Sequence, residues 1–281
     1  MHIVQRINKG DAMRSFTIPF DGISDAELQF CNAYESEDDG TIIVDAIRSD
    51  GKNMKKQQSL KWPWAQSLQQ YEATSSKKSL WRYTVNPKSG AISKTCLSDL
   101  HTSFGVVNPE FSTQKHNYIY SAVGSMGSDV APPQGIAKIN VNTKEVDSWF
   151  PKQHEFCGEP MFANRKKADD DDTSVEEDYG YILTVLYNGK SQKSEVLVFN
   201  AQMISSGPIA RIPLGIQIPH GLHGCFTSSD EATWSEEEIN RRSKLADKME
   251  SRGNMWNEVK SDFSGLGLRL DDFEEYFGDI L

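Results

Sequence analysis

The sequence predicts an all-β chain, and three observations carry that reading. Short runs rich in β-branched and aromatic residues recur along the first 226 residues. Each run is bounded by turn-forming residues. One turn pattern, a five-residue turn opened by Asn and followed at once by a new strand, occurs twice. Taken together they indicate a sandwich, barrel or propeller.

In chain order, Thr41–Ile47 (TIIVDAI) lies between Asp38-Asp39-Gly40 and Asp50-Gly51. Leu80–Val85 runs into Asn86-Pro-Lys-Ser-Gly90 and resumes at Ala91-Ile92-Ser93. Tyr118–Val123, Gly135–Val141, Tyr179–Tyr187 and Ser194–Phe199 repeat the pattern. The turns Asn86–Gly90 and Asn140–Lys144 both read as the outer hairpin of a propeller blade. Residues 57–76, polar but carrying Trp62 and Trp64, read as a loop over a face, and 166–178, with Asp169 to Asp172, as a solvated loop. That acid run lacks the glycine and spaced ligands of a calcium loop.

Residues 227–281 differ in kind from 1–226. Ser235 and Glu238 form a capping box, and Ile239, Leu245, Ala246 and Met249 a loose helical stripe that Gly253 would stop. Phe273, Tyr276, Phe277, Ile280 and Leu281 form a second stripe with only acids between them. An acidic helical extension is expected. It would dock on its own chain or lie in a partner's basic-rimmed groove.

Composition narrows the classes of function. With 30 basic against 40 acidic side chains, the net charge of −10 disfavours nucleic acid. No apolar run approaches the roughly 18 residues of a membrane span, and Met1–Gly10 has no signal-peptide core. Cys31, Cys96, Cys157 and Cys225 lie far apart, which excludes a zinc ribbon or a redox CxxC pair and suggests reduced thiols over two disulfides. Walker, GxGxxG, GxSxG and HExxH motifs are absent.

Six histidines remain: His2, His101, His116, His154, His220 and His223. His223 sits in IQIPHGLHGCF, at the end of an expected strand and flanked by Gly221 and Gly224. Glu159 sits in FCGEPMF, amid apolar neighbours, where a carboxylate is costly unless paired. A histidine ring N–H is an economical partner, and such bonds orient metal ligands.

These segments resemble the carotenoid cleavage oxygenases, the family of the retinal-pigment-epithelium isomerase and the lignostilbene dioxygenases. The matching stretches are Asn32-Ala-Tyr-Glu35, Ile43-Val-Asp-Ala46, Ser103-Phe-Gly-Val-Val-Asn-Pro109, Cys157-Gly-Glu-Pro-Met-Phe162, Glu177-Asp-Tyr-Gly-Tyr181, Arg211-Ile-Pro-Leu214 and Ile218–Phe226, in the family's order. The resemblance implies the C-terminal half of a seven-bladed β-propeller, several consecutive blades in 1–226. In the whole propeller four histidines hold iron(II), and a tunnel admits an apolar polyene for cleavage by O2. His223 matches the last iron ligand and Glu159 a glutamate that hydrogen-bonds a ligand. His220 stands where the family often has an aromatic.

The departures are specific. A ligand position falls on Phe30, preceded by Gln29, and a ligand-orienting glutamate is replaced by Ser103. His101 is the nearest residue in sequence to stand in. The other two ligands, and any targeting peptide, belong to the family's N-terminal half. Two functions follow: a truncated iron dioxygenase of polyenes or stilbenes, or a non-catalytic relative acting as a binding module. The isolated chain is expected to hold no iron and to self-associate through open propeller edges.

Overall fold

The structure is a computed structural model. It describes residues 28–50, 75–124, 131–165, 176–218 and 223–227, together with the backbone of two short strands, β1 (His2–Ile3) and β2 (Arg14–Ser15), which pair antiparallel. The chain divides into two units, Met1–Phe226 and Thr227–Leu281. All described residues except Thr227 belong to the first. The expected helical extension, the Asp169–Asp172 run, the loop at 57–74 and His220 lie outside the described residues.

Three antiparallel sheets follow one another along the chain. The first is β3 (Leu28–Glu35), β4 (Ile42–Ser49), β5 (Lys78–Val85) and β6 (Ile92–Ser98), in that spatial order. The second is β7 (Thr102–Val106), β8 (Tyr118–Gly124), β9 (Pro133–Asn140) and β10 (Val146–Trp149). In the third, β11 (Glu155–Cys157) and β12 (Met161–Asn164) both pair with β13 (Gly180–Asn188), followed by β14 (Lys193–Asn200) and β15 (Pro208–Pro213). Only 3₁₀ turns, at Pro109–Phe111 and Ile204–Ser206, interrupt the strands among the described residues. Sequence-adjacent pairing with a step to a new sheet after the fourth strand is the connectivity of propeller blades.

The hairpins share one construction. Asn86 Oδ1 accepts the amides of Lys88 and Ser89, Asn140 Oδ1 those of Asn142 and Thr143, and Asn188 Oδ1 those of Lys190 and Ser191. Four residues after each Asn the backbone turns left-handed, at Gly90 (φ 74°), Lys144 (φ 64°) and Gln192 (φ 53°). An Asn side chain bonding its own turn nucleates each hairpin locally, so the motif seen twice in the sequence occurs three times in the structure.

The sheets pack face on face. Ile47, Leu80, Leu97, Ile119 and Ile139 fill the space between the first and second. Tyr120, Ile136, Phe162, Ile182, Leu197 and Phe199 fill that between the second and third. Each fully buried aliphatic or aromatic side chain contributes roughly 1.5–3 kcal/mol. All four cysteines are free; burial pushes the Cys157 thiol up to about 12, so it stays protonated.

The strand expected to lead into His223 is not seen among the described residues. There the last strand stops at Pro213, and the chain then folds back along β14: Ser194 N donates to Ile216 O, and Ile218 N to Ser194 Oγ. Residues 219–222, just before His223, lie outside the described residues.

Candidate functional site

Glu159 occupies the turn between β11 and β12, the two strands that pair end to end along β13. Gly158 anchors this turn, its N–H donating to Val185 O (2.9 Å) and its carbonyl accepting from Thr184 Oγ1 (3.0 Å). The carboxylate is thereby held against His223 and Gly224. His223 Nδ1 lies 3.1 Å from Glu159 Oε1, and Gly224 N donates to Oε2 at 2.6 Å. A carboxylate only accepts, so Nδ1 carries the proton and the Nε2 lone pair remains for a ligand. This is the pairing that the lone carboxylate in an apolar segment called for. At Gly224 an added Cβ would meet Met161 Sδ at an ordinary 3.4 Å. Its amide, not its missing side chain, is what the site uses.

His223 opens onto a cavity of about 410 Å³ lined mainly by apolar residues, among them Phe30, Phe104, Met161 and Phe226. Phe104 stands edge-on to the imidazole, ring centroids 6.1 Å apart at 89°. Phe104 has φ 57°, and the register of β7 against β8 shifts between Ser103 and Val106. Gln29 Oε1 accepts the Phe104 amide at 3.2 Å. Phe30, at the position carried over from the family, is 63% exposed at the cavity rim. The two departures noted in the sequence are therefore neighbours in space, but through Gln29: its side chain rests on the Ser103–Phe104 peptide. Ser103 itself is buried, and its carbonyl accepts from Ser121 Oγ.

The remaining described histidines serve elsewhere. His101 is buried between β6 and β7, with Nδ1 accepting the Lys78 amide (3.1 Å); it does not line the cavity. Desolvation, with the charges of Lys78 and Lys77, pushes its pKa down to about 4. His154 has φ 70° at a surface turn. His116 belongs to a buried network: Nε2 is 2.9 Å from Asp45 Oδ2, Nδ1 2.9 Å from Asn32 Nδ2, and Arg82 grips Asp45 with two bonds of 2.8 and 2.7 Å. Burial alone would raise the Asp45 carboxyl. Hydrogen bonds from Arg82 and His116 and the Arg82 charge hold it below the usual carboxylate range.

Motif residues thus divide by task. Asn32 and Asp45 tie the first sheet to the loop at 108–116: Asn32 Nδ2 donates to Phe111 O and Gln114 O, and Oδ1 accepts Thr113 N. Glu177 accepts the amides of Asn117 and Tyr118, while Asn108 Nδ2 donates to Glu177 O. These are cross-links between sheets. The motif stretches around Phe104, Glu159 and His223 are the ones that line the cavity. Gln29 carried no signal of its own in the sequence; its role follows from a bond spanning 75 residues.

A metal needs several ligands arranged together. The cavity offers one imidazole, 69% exposed, and the described residues contain no group of three or more His, Cys, Asp or Glu able to hold an ion. An iron centre does not fit these residues alone.

The family model for retinal pigment epithelial membrane protein matches residues 2–228. The apocarotenoid-15,15'-oxygenase of Synechocystis sp. is 30% identical over 152 residues, covering 53% of this chain and 29% of that protein. The carotenoid 9,10(9',10')-cleavage dioxygenase of Crocus sativus is 25% identical over 173 residues, covering 58% and 31%. The crystal structure of an ACO/RPE65 chimera is 25% identical, with a TM-score of 0.59 over 71% of this chain and 39% of that one. Cobalt-substituted Synechocystis ACO shares the fold, with a TM-score of 0.64 over 79% and 42% at 24% identity. The chain spans less than half the length of these relatives.

Proposed function

Because the chain belongs to the retinal pigment epithelial membrane protein family, that of the carotenoid cleavage oxygenases, we propose that it forms the C-terminal part of a propeller enzyme that oxidatively cleaves a carotenoid, apocarotenoid or related polyene. In this reading 1–226 provides consecutive blades of a seven-bladed ring. The observation that carries the proposal is the Glu159–His223 pair opening onto a cavity walled by Phe30, Phe104, Met161 and Phe226. A polyene is rigid and apolar, and such a wall binds it by excluding water.

In the family, iron(II) on four imidazoles supplies dioxygen activation. In this reading His223 is one of the four, and the described residues alone carry no step of that chemistry. Their own contributions are specific. Glu159 fixes the tautomer of His223, with Nε2 unprotonated, and holds the ring through the Gly224 amide at the same time. Phe104 bounds the imidazole on one side and offers its ring to the substrate.

Titration with all-trans retinal, followed by the shift in its absorption, tests the binding half of this proposal. Saturable binding of one equivalent, weakened roughly tenfold by Phe104→Ala, is expected. Partitioning without saturation would overturn it.

A further inference from the structure

We propose that Gln29 is the positioning residue for His223, acting through Phe104. It rests on the preceding reading only in taking His223 as the functional imidazole. Phe104 is an aromatic residue in left-handed backbone, φ 57°, a conformation L side chains avoid. Such strain persists only where the surroundings over-determine it, and it concentrates at functional sites. Here β3 holds the bend at two adjacent points. Gln29 Oε1 takes the Phe104 amide at 3.2 Å. Two residues on, Cys31 packs against Gly105 so closely that an added Cβ would lie 2.4 Å from Sγ. With its backbone fixed in this way, Phe104 presents its ring edge-on to the imidazole at 6.1 Å. The imidazole is thus set from two sides. Glu159 holds Nδ1, and the Gln29–Phe104 pair fixes the ring that bounds it. Gln29, not the exposed Phe30, is the residue of β3 through which the first sheet reaches the site.

The test reads the imidazole itself and is independent of polyene binding. In the 281-residue chain, the carbon-bound ring protons of His223, assigned by their loss in His223→Ala, carry a ring-current shift from Phe104. Phe104→Leu defines its size. Gln29→Met, of the same length but without an acceptor, should move the His223 signals most of the way to their Phe104→Leu values. Gln29→Glu, which keeps an acceptor, should retain the wild-type shift, and Phe30→Ala should leave it unchanged. The buried His116 signals report that each variant is folded. If Gln29→Met fails that check, Gln29→Asn, one methylene too short to reach the Phe104 amide, replaces it. A folded acceptor-less variant with an unmoved His223, or Gln29→Glu behaving like Gln29→Met, would overturn the proposal.

Discussion

Glu159 and His223, 64 residues apart in sequence, meet through a 3.1 Å bond from the imidazole Nδ1–H to a carboxylate that also holds the Gly224 amide. The arrangement dictates one tautomer. In Glu159→Gln the amide oxygen is retained by Gly224 N, and the NH2 group faces Nδ1, which must then accept. Nitrogen-15 shifts of His223 at neutral pH should therefore report a proton on Nδ1 in the native chain and on Nε2 in the variant. Identical tautomers would show that the carboxylate does not orient the ring.

Asp45 anchors stability, not the site. Its carboxylate is fully buried and pairs with both Arg82 and His116. Removing one member of a buried pair leaves the other charge uncompensated, so Asp45→Ala should cost about 3 kcal/mol or more in urea denaturation. The folded Asp45 pKa lies below its unfolded value, near 3.9. Its contribution is thus complete above that value and is lost as pH falls through the folded one.

His101 gives stability a second pH dependence, at higher pH. Buried and neutral, it titrates near 4 when folded, against about 6.5 when unfolded. Between these values only the unfolded chain binds the proton. Stability should fall as pH drops from about 6.5 to 4, by up to about 3 kcal/mol, with no effect above that window. Urea midpoints measured across this range should show the slope in the native chain and a flatter one in His101→Gln.

Gly105 sits at the seam of the first two sheets, its Cα facing Cys31 Sγ and Ile47 Cδ1. An alanine there overpacks the seam, and Gly105→Ala should cost about 1–3 kcal/mol. Pairing it with Cys31→Ala removes the obstructing sulfur and should recover much of the loss. Equal melting temperatures for the single and double variants would mean that the clash lies elsewhere.

The strands were legible because their signals are local. Tyr118–Val123 and Ser194–Phe199 as read differ by at most a residue at each end from β8 and β14. Asn86 and Asn140 announced their hairpins because each side chain bonds its own turn. The hairpin at Asn188, with Gln192 at the left-handed position as Lys144 is after Asn140, has the same construction but was not singled out in the sequence. Glu159 and His223 were legible through their apolar and glycine-rich settings. Gln29, Asp45 and His116 were not. Their meaning lies in bonds spanning 37 to 84 residues, as from Arg82 to Asp45 and from Asn32 to His116, and one residue's shift along β3 separates Gln29 from Phe30. A bulge between Phe30 and Asn32 disturbs the alternation that would have told them apart.

As proposed, this chain carries the wall and one oriented imidazole of a polyene-oxygenase site, but not a metal centre of its own. Anaerobic reconstitution of the 281-residue chain with ferrous iron, followed by desalting and metal analysis, is the decisive measurement. Far less than one equivalent of iron should be retained, because one imidazole cannot hold the ion against water. Near-equimolar iron that disappears in His223→Ala would contradict it, and would require further ligands from this same chain.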